Sequence, residues 1–156
     1  MMKDKIINLI ETIPEEVKDC FGVMINENEA NMLMDEYNRM LDSSMNNSGE
    51  PLRFPCYIMN VPVGIGRSSK MHLEPIRVYE KLNKLYHYEY DKFTKFMNEL
   101  NYISNKYGCS VDGCGCCGSP GLIGFHTFYV DYLNYDDKEH KYTYDFRIAY
   151  EELGEK

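Results

Sequence analysis

Residues 141–150 read KYTYDFRIAY, and polar and apolar side chains alternate along them. Side chains two positions apart in a strand point to the same face of a sheet. One face therefore carries the aromatic and aliphatic residues Tyr142, Tyr144, Phe146, Ile148 and Tyr150. The other face carries Thr143, Asp145 and Arg147. This alternation predicts a half-buried strand whose apolar face packs on the rest of the molecule.

The stretch before this strand supplies its partner. Residues 122–133, LIGFHTFYVDYL, are rich in aromatic and β-branched types, and the polar run NYDDKEH follows at 134–140. Two such runs joined by a polar turn predict a long C-terminal hairpin. Ahead of it, apolar side chains recur every three or four residues from Asp91 to Tyr107, and Gly108 follows. That pattern predicts a helix with glycine at its C′ position.

The N-terminal part shows two more helical patterns and one strand pattern. Residues 3–21 carry apolar side chains at helical spacing with a restart at Pro14, and Gly22 ends the run. Asn26 begins a capping box ahead of a second apolar stripe. Residues 54–63, FPCYIMNVPV, predict a strand interrupted by prolines.

These patterns predict an α+β fold, with helices packed on one side of a small antiparallel sheet that contains the C-terminal hairpin. A chain of 156 residues is long enough for a hydrophobic core, and we expect one domain over residues 1–156. Within it, residues 1–48 are expected to be helical, and residues 51–156 to mix helices and strands.

The charge of the chain limits its partners. The formal net charge is −8, whereas general nucleic-acid binding needs a basic face to neutralise phosphates. Residues 51–107 carry 9 basic and 5 acidic side chains, a net of +4, between two acidic segments. This basic middle favours either an anion-binding surface or, more plainly, a set of solvated helix faces.

The sequence contains no pattern of a membrane or secreted protein. No apolar run approaches the ~18–20 residues of a membrane span, and the N-terminus lacks a signal-peptide pattern. We therefore expect a cytoplasmic protein without a membrane partner. Cytosolic cysteines stay reduced, which favours metal binding, catalysis or packing over a disulfide framework.

Residues 109–121, CSVDGCGCCGSPG, hold four of the six cysteines. Cys114 and Cys117 have the C-x-x-C-G spacing of a zinc knuckle, in which a tight turn directs two thiolates to one metal. Cys109 is the candidate third ligand. His126 is the candidate fourth, with Cys56 as a distant alternative. This set would hold one Zn²⁺, although the chain has no second C-x-x-C to complete a regular site.

The same cysteines allow three other interpretations. A redox pair is one, but thioredoxin-like sites open a helix, whereas this segment follows one. A thiolate enzyme is another, with Cys114 or Cys117 as nucleophile and His126 as base. The plainest is a glycine-rich connection in which cysteine packs as a small apolar residue.

Residues 105–122, NKYGCSVDGCGCCGSPGL, resemble a segment in small uncharacterised proteins of low-GC Gram-positive bacteria and their phages. In those proteins a helix likewise ends in a KYG-like turn, and a GCGCCGSP-like stretch and a strand follow. The resemblance implies that the segment is a structural unit and that the chain is of phage or mobile-element type. It implies no activity.

Residues 64–70, GIGRSSK, form the second candidate site. Glycines allow successive backbone N–H groups to face one anion, and hydroxyl and cationic side chains add to such a nest. The candidate ligand-binding residues are Gly64, Gly66, Arg67, Ser68, Ser69 and Lys70. The spacing matches neither the P-loop nor the dinucleotide fingerprint. The plain alternative is an exposed polar loop.

The sequence as a whole favours a non-enzymatic cytosolic binding protein of phage or mobile-element type. Its partner would be a host macromolecule, such as a host protein, or a small anionic, nucleotide-like ligand that it sequesters in an anti-defence role. The 14 tyrosines suit a binding surface, and no complete catalytic constellation is visible. The alternatives are a zinc-stabilised structural or interaction protein and a cysteine-thiolate enzyme or redox protein. Nothing in the sequence excludes a homo-oligomer.

Overall fold

Helices and strands occur together in both halves of the chain, which confirms the α+β class. The computed structural model describes residues 1–43, 50–111 and 120–153. The chain divides into a first unit, Met1–Arg77, and a second unit, Val78–Lys156. The expectation of a single domain over 1–156 stays a prediction.

The described residues of the first unit form two α-helices and a four-stranded sheet. Its elements are α1 (Met2–Glu11), a 3₁₀ helix (Glu15–Cys20), β1 (Phe21–Ile25), α2 (Glu27–Ser43), β2 (Cys56–Ile58), β3 (Val61–Ile65) and β4 (His72–Pro75). The strand order is β2-β3-β1-β4. β1 runs parallel to β3, with Val23 opposite Val63, and antiparallel to β4, with Val23 opposite Leu73. The sheet is therefore mixed rather than antiparallel, because the chain between β1 and β3 includes the crossover helix that a parallel pair requires.

The core of the first unit is aliphatic. Its buried members come from both helices and from the two parallel strands: Met2, Ile6, Ile10, Val23, Ile25, Ala30, Leu33, Val61 and Val63. Alternate residues of β1 are buried, as expected for a strand with one face on a core. The capping box at the start of α2 is confirmed, because Glu29 N donates to Asn26 Oδ1 at 2.9 Å and Asn26 N donates to Glu29 Oε2 at 3.0 Å.

The expectation that residues 1–48 are helical is wrong at β1. Gly22 does not end a helix; it lies inside the strand, where an added Cβ would meet the Pro62 carbonyl oxygen at 3.4 Å. Val17, Cys20 and Phe21 match helical spacing, but the turn after Pro14 is a 3₁₀ helix that ends at Cys20. Five residues are too few for periodicity to separate a strand from a helix.

The stretch predicted as one strand at 54–63 is a hairpin. β2 and β3 pair antiparallel on either side of Met59 and Asn60, whose φ angles are 51° and 64°. Two central residues with positive φ match the right-handed twist of the flanking strands. Asparagine tolerates this conformation, whereas methionine rarely adopts it, so the sequence carries only half of the usual turn pattern.

In the second unit the described residues form one long helix, a hairpin and a short final turn. Its elements are α3 (Tyr79–Tyr107), β5 (Phe128–Asp136), β6 (Lys141–Ile148) and a 3₁₀ helix (Glu151–Leu153). Gly108 ends α3 in the left-handed conformation with φ 63°, which confirms the predicted C′ glycine. The sequence also shows a weak helical pattern from Pro75 through Val78, Leu82 and Leu85, where a strand is the alternative. α3 begins at Tyr79 and joins this pattern to the predicted helix from Asp91.

The C-terminal hairpin is confirmed, and it forms a sheet of its own. Val130 lies opposite Phe146, and Tyr135 lies opposite Tyr142. The register shifts between Asp131 and Asn134, where Tyr132 has a φ of 55°. Such a bulge bends one strand and leaves residues unpaired.

The core of the second unit is aromatic. Phe93 and Met97 of α3 are buried against Phe128, Val130, Leu133 and Tyr142 of the hairpin. The Phe93 ring lies 5.7 Å from the Phe128 ring and 5.1 Å from the Tyr144 ring, both in edge-to-face contact. Edge-to-face pairs add stabilisation beyond the area they bury. The predicted apolar face of β6 is only partly covered, since Tyr144 and Ile148 remain 38% and 39% exposed.

Candidate functional site

The predicted ligand-binding residues lie together at one edge of the first unit. Gly64 lies within β3, and residues 66–70 form the loop that follows this strand. Gly66 N donates to Ile25 O at 2.8 Å, and Asn26 Nδ2 donates to Ser69 O at 3.2 Å. The loop therefore lies at the carboxyl ends of the two parallel strands, beside the start of α2, where α/β proteins often bind ligands.

The backbone of this loop does not form the expected anion nest. Neither Gly64 nor Gly66 has the positive φ that such a nest uses. Packing accounts for the second glycine, because a Cβ on Gly66 would lie 3.2 Å from Met24 Cε. The N–H groups of Gly66 and Lys70 already donate to Ile25 O and Ser68 Oγ. Anion binding by the exposed Arg67 and Lys70 side chains stays a prediction.

Two of the predicted zinc ligands, Cys109 and His126, lie far apart in the described part of the chain. Cys114 and Cys117 lie outside the described residues. Cys109 N donates to Ser104 O at 3.3 Å, whereas His126 N donates to Glu89 Oε1 at 2.9 Å. Ser104 and Glu89 belong to the same helix, and about 22 Å of helix axis separates them at 1.5 Å per residue. Two ligands of one zinc lie less than about 5 Å apart, so Cys109 and His126 cannot share a metal.

His126 instead belongs to a polar cluster around Glu89. The Glu89 carboxylate, 4% exposed on α3, accepts from His126 Nδ1 at 2.9 Å and from Thr127 Oγ1 at 2.6 Å. The backbone N–H groups of His126 and Thr127 donate to the same carboxylate. Burial raises the pKa of Glu89, but these hydrogen bonds outweigh burial and hold it below the ordinary value of 4.5. The cluster ties the start of β5 to the middle of α3.

Two chemical properties follow for His126. A carboxylate accepts only, so Nδ1 carries a proton and the neutral ring has its lone pair on Nε2. A carboxylate that orients a histidine in this way is common behind metal ligands and general bases. The sequence contains a signal for the cluster, because Glu89 occupies an inward position of the α3 stripe between Tyr86 and Phe93, where an apolar residue is expected.

Cys109 has different neighbours at the far end of α3. It lines a cavity of about 250 Å³ together with Asp137 and His140 of the hairpin turn. Asn105 Nδ2 donates to the His140 carbonyl at 2.9 Å, which fixes the backbone of that turn. In the described ranges no three His, Cys, Asp or Glu side chains form a group that could hold a metal ion.

A groove runs between α3 and β6 of the second unit. Its volume is about 500 Å³, and the aromatic residues Tyr90, Phe93, Tyr142 and Tyr144 line it. Thr94, Asn98, Asn101 and Thr143 supply amide and hydroxyl groups. Tyr142 N donates to Asn101 Oδ1 at 2.8 Å, so the edge of β6 is partly satisfied by the helix. Burial raises the pKa of Tyr144, and nearby Tyr90 adds to this effect.

The sequence patterns did not single out this groove. The groove forms where tyrosines of α3 and β6 meet. Which tyrosines meet depends on how the helix is aligned along the hairpin, and the sequence patterns do not give that alignment. The sequence feature that points to an aromatic surface here is the number of tyrosines, because twelve of the 14 lie in the second unit.

No protein-family model matches the chain, and comparisons with curated proteins and with solved structures give no significant match. Among the described residues, no helix combines the length and the apolar character needed to cross a membrane.

Proposed function

We propose that this chain is a non-enzymatic binding protein of phage or mobile-element type, and that the groove between α3 and β6 holds a segment of a partner protein. The observation that carries the proposal is the composition of that groove: an aromatic floor with amide and hydroxyl groups at its rim. Binding pockets combine apolar area with a few polar groups that fix orientation.

The aromatic floor suits an apolar side chain of the partner. Tyr90 and Tyr144 are 42% and 38% exposed, so each offers ring area to a ligand without leaving the core. Tyrosine has few rotatable bonds, and ordering it on binding therefore costs little entropy. Its hydroxyl group can both donate and accept a hydrogen bond.

The rim suits a peptide backbone. Asparagine carries both a donor and an acceptor, as a peptide group does. Asn101 uses its oxygen on Tyr142 N, which leaves its NH₂ group as donor, and Asn98 lies one turn earlier on the exposed side of α3. Of the described residues that line the groove, only Lys141 is charged, and depletion of charge is typical of the centre of a protein interface.

Site-specific photo-crosslinking in a bacterial host tests this proposal. A photoreactive phenylalanine analogue at Tyr144 should crosslink to one host protein of defined mass. The same analogue at Tyr102, a 64% exposed tyrosine of α3 outside the groove lining, is the matched control and should not. Asn98→Arg should abolish the crosslink from position 144, because it adds charge and bulk at the rim without removing a core ring.

Two results would reject the proposal. One is the same crosslinking pattern from positions 144 and 102, which would indicate nonspecific contact. The other is a crosslink at 144 that survives Asn98→Arg in a variant whose circular dichroism matches the wild type.

A second candidate function is that of a zinc-stabilised interaction protein, with a changed ligand set. Cys109 and His140 line one cavity, whereas Cys109 and His126 lie far apart along α3. The proposed zinc ligands are therefore Cys109, Cys114, Cys117 and His140, and His126 is no longer among them. Zinc accepts imidazole and thiolate together in structural sites.

Native mass spectrometry of protein purified without chelator tests the zinc hypothesis. The wild type and His126→Ala should each carry one zinc ion, and His140→Ala should carry less. A wild type without zinc would reject the hypothesis. Zinc that is lost in His126→Ala but kept in His140→Ala would reject the changed ligand set.

A further inference from the structure

The first unit contains an apolar cavity that neither candidate function uses. It lies between the N-terminal end of α1, the middle of α2 and β2, and its volume is about 200 Å³. Leu33, Leu52 and Ile58 form its floor, and these residues belong to or pack against the aliphatic core. Cys56 lines the same cavity from β2.

Lys3, Glu36, Tyr37 and Tyr57 also line this cavity, and two charged groups beside it, the Glu36 carboxylate and the Met1 amino group, have partners. The Glu36 carboxylate accepts from the backbone N–H groups of Met2 and Lys3, so a side chain of α2 caps the start of α1. The amino group of Met1 pairs with Asp4 at 3.1 Å. In the described part of the chain, every buried side-chain nitrogen and oxygen has a hydrogen-bond partner. No unsatisfied buried group is therefore left to recognise a polar ligand here.

The size of the cavity limits its occupant. Cavities of about 150 Å³ lined by aliphatic side chains stay dry and admit benzene. A space of about 200 Å³ is larger and accordingly fits an aromatic molecule of the size of benzene or indole. Burial raises the pKa of the Cys56 thiol, which keeps this wall of the cavity uncharged.

We propose that the cavity between α1, α2 and β2 binds a small, uncharged aromatic molecule of the size of benzene or indole. Such a ligand would pack on Leu33, Leu52 and Ile58 without breaking the hydrogen bonds of the Glu36 carboxylate. This cavity and the groove of the second unit share no residues, so an experiment that rejects one binding proposal does not reject the other.

The test uses indole as the probe. In a titration of the full chain followed by methyl NMR, the methyl signals of Leu33, Leu52 and Ile58 should shift and saturate together. Alkylation of Cys56 by iodoacetamide should slow at least twofold at saturating indole. Cys109, an exposed thiol of the second unit, provides the internal control and should react at an unchanged rate. Trypsin cleavage after Arg53 and Arg67 isolates Cys56 as the only cysteine of its peptide. Cys109 shares its tryptic peptide with Cys114, Cys116 and Cys117, so fragmentation of that peptide in the mass spectrometer assigns the alkylation at Cys109.

Two variants complete the test. Leu52→Phe fills part of the cavity and should weaken indole binding at least tenfold. Met32→Phe, at a 49% exposed position of α2 outside the cavity lining, should leave binding unchanged. The proposal is overturned if the shifts do not saturate, if Cys56 and Cys109 are slowed equally, or if Leu52→Phe binds indole like the wild type. If Leu52→Phe fails to fold, the alkylation experiment on the wild type decides alone.

Discussion

The two units of this chain have cores of different chemistry. The first unit packs isoleucine, valine and leucine from α1, α2, β1 and β3. The second packs phenylalanine, tyrosine and methionine between one helix and one hairpin. Aliphatic side chains between two helices and a four-stranded sheet can be enclosed completely, and Ile6, Ile10, Val23 and Val63 show no measurable exposure.

An aromatic core under a two-stranded sheet cannot close in the same way. Rings are large, and a hairpin is narrow, so Tyr90 and Tyr144 reach from the core to the surface. The same rings therefore stabilise the fold and form the groove. In the second unit, the residues that would bind a partner are therefore also residues that stabilise the fold. In the first unit, the exposed side chains of the GIGRSSK loop do not belong to the aliphatic core.

The largest expected effect is at the centre of the aromatic core. Phe93 is 2% exposed and contacts the rings of Phe125, Phe128, Tyr144 and Phe146. Phe93→Ala should lower the free energy of unfolding by about 3–5 kcal/mol. Urea titration followed by near-ultraviolet circular dichroism of the tyrosines measures it. Phe96→Ala, at a 45% exposed position of the same helix, should lose less than about 1 kcal/mol. Equal losses would contradict the aromatic core described here.

The second largest effect is expected at the polar cluster of the second unit. Glu89→Gln replaces one accepting oxygen by an NH₂ group that faces donors. It should lower the free energy of unfolding by about 1.5–3 kcal/mol, the range for hydrogen bonds to charged groups. Glu99→Gln, an exposed position on the same helix, should change it little. If Glu99→Gln lowered the free energy of unfolding as much as Glu89→Gln, the effect would come from the lost negative charge on α3 and not from the hydrogen bonds of Glu89.

The same residue gives the fold a defined acid sensitivity. The pKa of Glu89 is lower in the folded chain than its ordinary value of 4.5. Its stabilisation is therefore complete above about pH 4.5 and is lost as the pH falls through the folded value. We expect urea midpoints measured from pH 7 to pH 3 to fall more steeply in the wild type than in Glu89→Gln. Parallel profiles would contradict the hydrogen-bond network around this carboxylate.

A smaller effect is expected at the capping box of the first unit. Asn26→Ala removes the acceptor of Glu29 N and should cost about 1 kcal/mol, measured by urea unfolding. Asn26→Asp keeps that acceptor and loses the donor to Ser69 O, so it should cost less. If the aspartate variant is as unstable as the alanine variant, the contact with the GIGRSSK loop matters more than the cap.

The smallest effect on stability is expected in the loop itself. Arg67 and Lys70 are exposed, and Arg67→Ala with Lys70→Ala should change the free energy of unfolding by less than about 0.5 kcal/mol. The double variant should also remove any binding of nucleoside phosphates that calorimetry detects in the wild type. Binding that persists in the double variant would place the anion elsewhere.

The sequence predicted the features that depend on local pattern. The alternation at 141–150, the apolar stripe before Gly108 and the capping box at Asn26 each involve residues close in the chain, where propensity and spacing decide. β1 was missed because five residues carry too little periodicity. The parallel pairing of β1 with β3 was missed because it joins strands about 40 residues apart.

The candidate sites were less predictable than the fold. His126 and Cys109 are 17 positions apart in the sequence, and spacing alone made them plausible co-ligands. The length of α3 separates them in space. Conversely, Cys109 and His140 lie 31 positions apart and line one cavity, because the hairpin turn returns to the end of the helix.

The length of α3 also constrains how this chain can change over evolutionary time. The side chains that meet the hairpin recur about once per turn along the helix: Tyr86, Glu89, Phe93, Met97, Asn101 and Ser104. Inserting or deleting one residue near the middle would rotate everything beyond it by about 100°. Aromatic, carboxylate and amide contacts would then fail together. Lineages of this protein should therefore accumulate replacements within α3 and confine changes of length to the segments outside it.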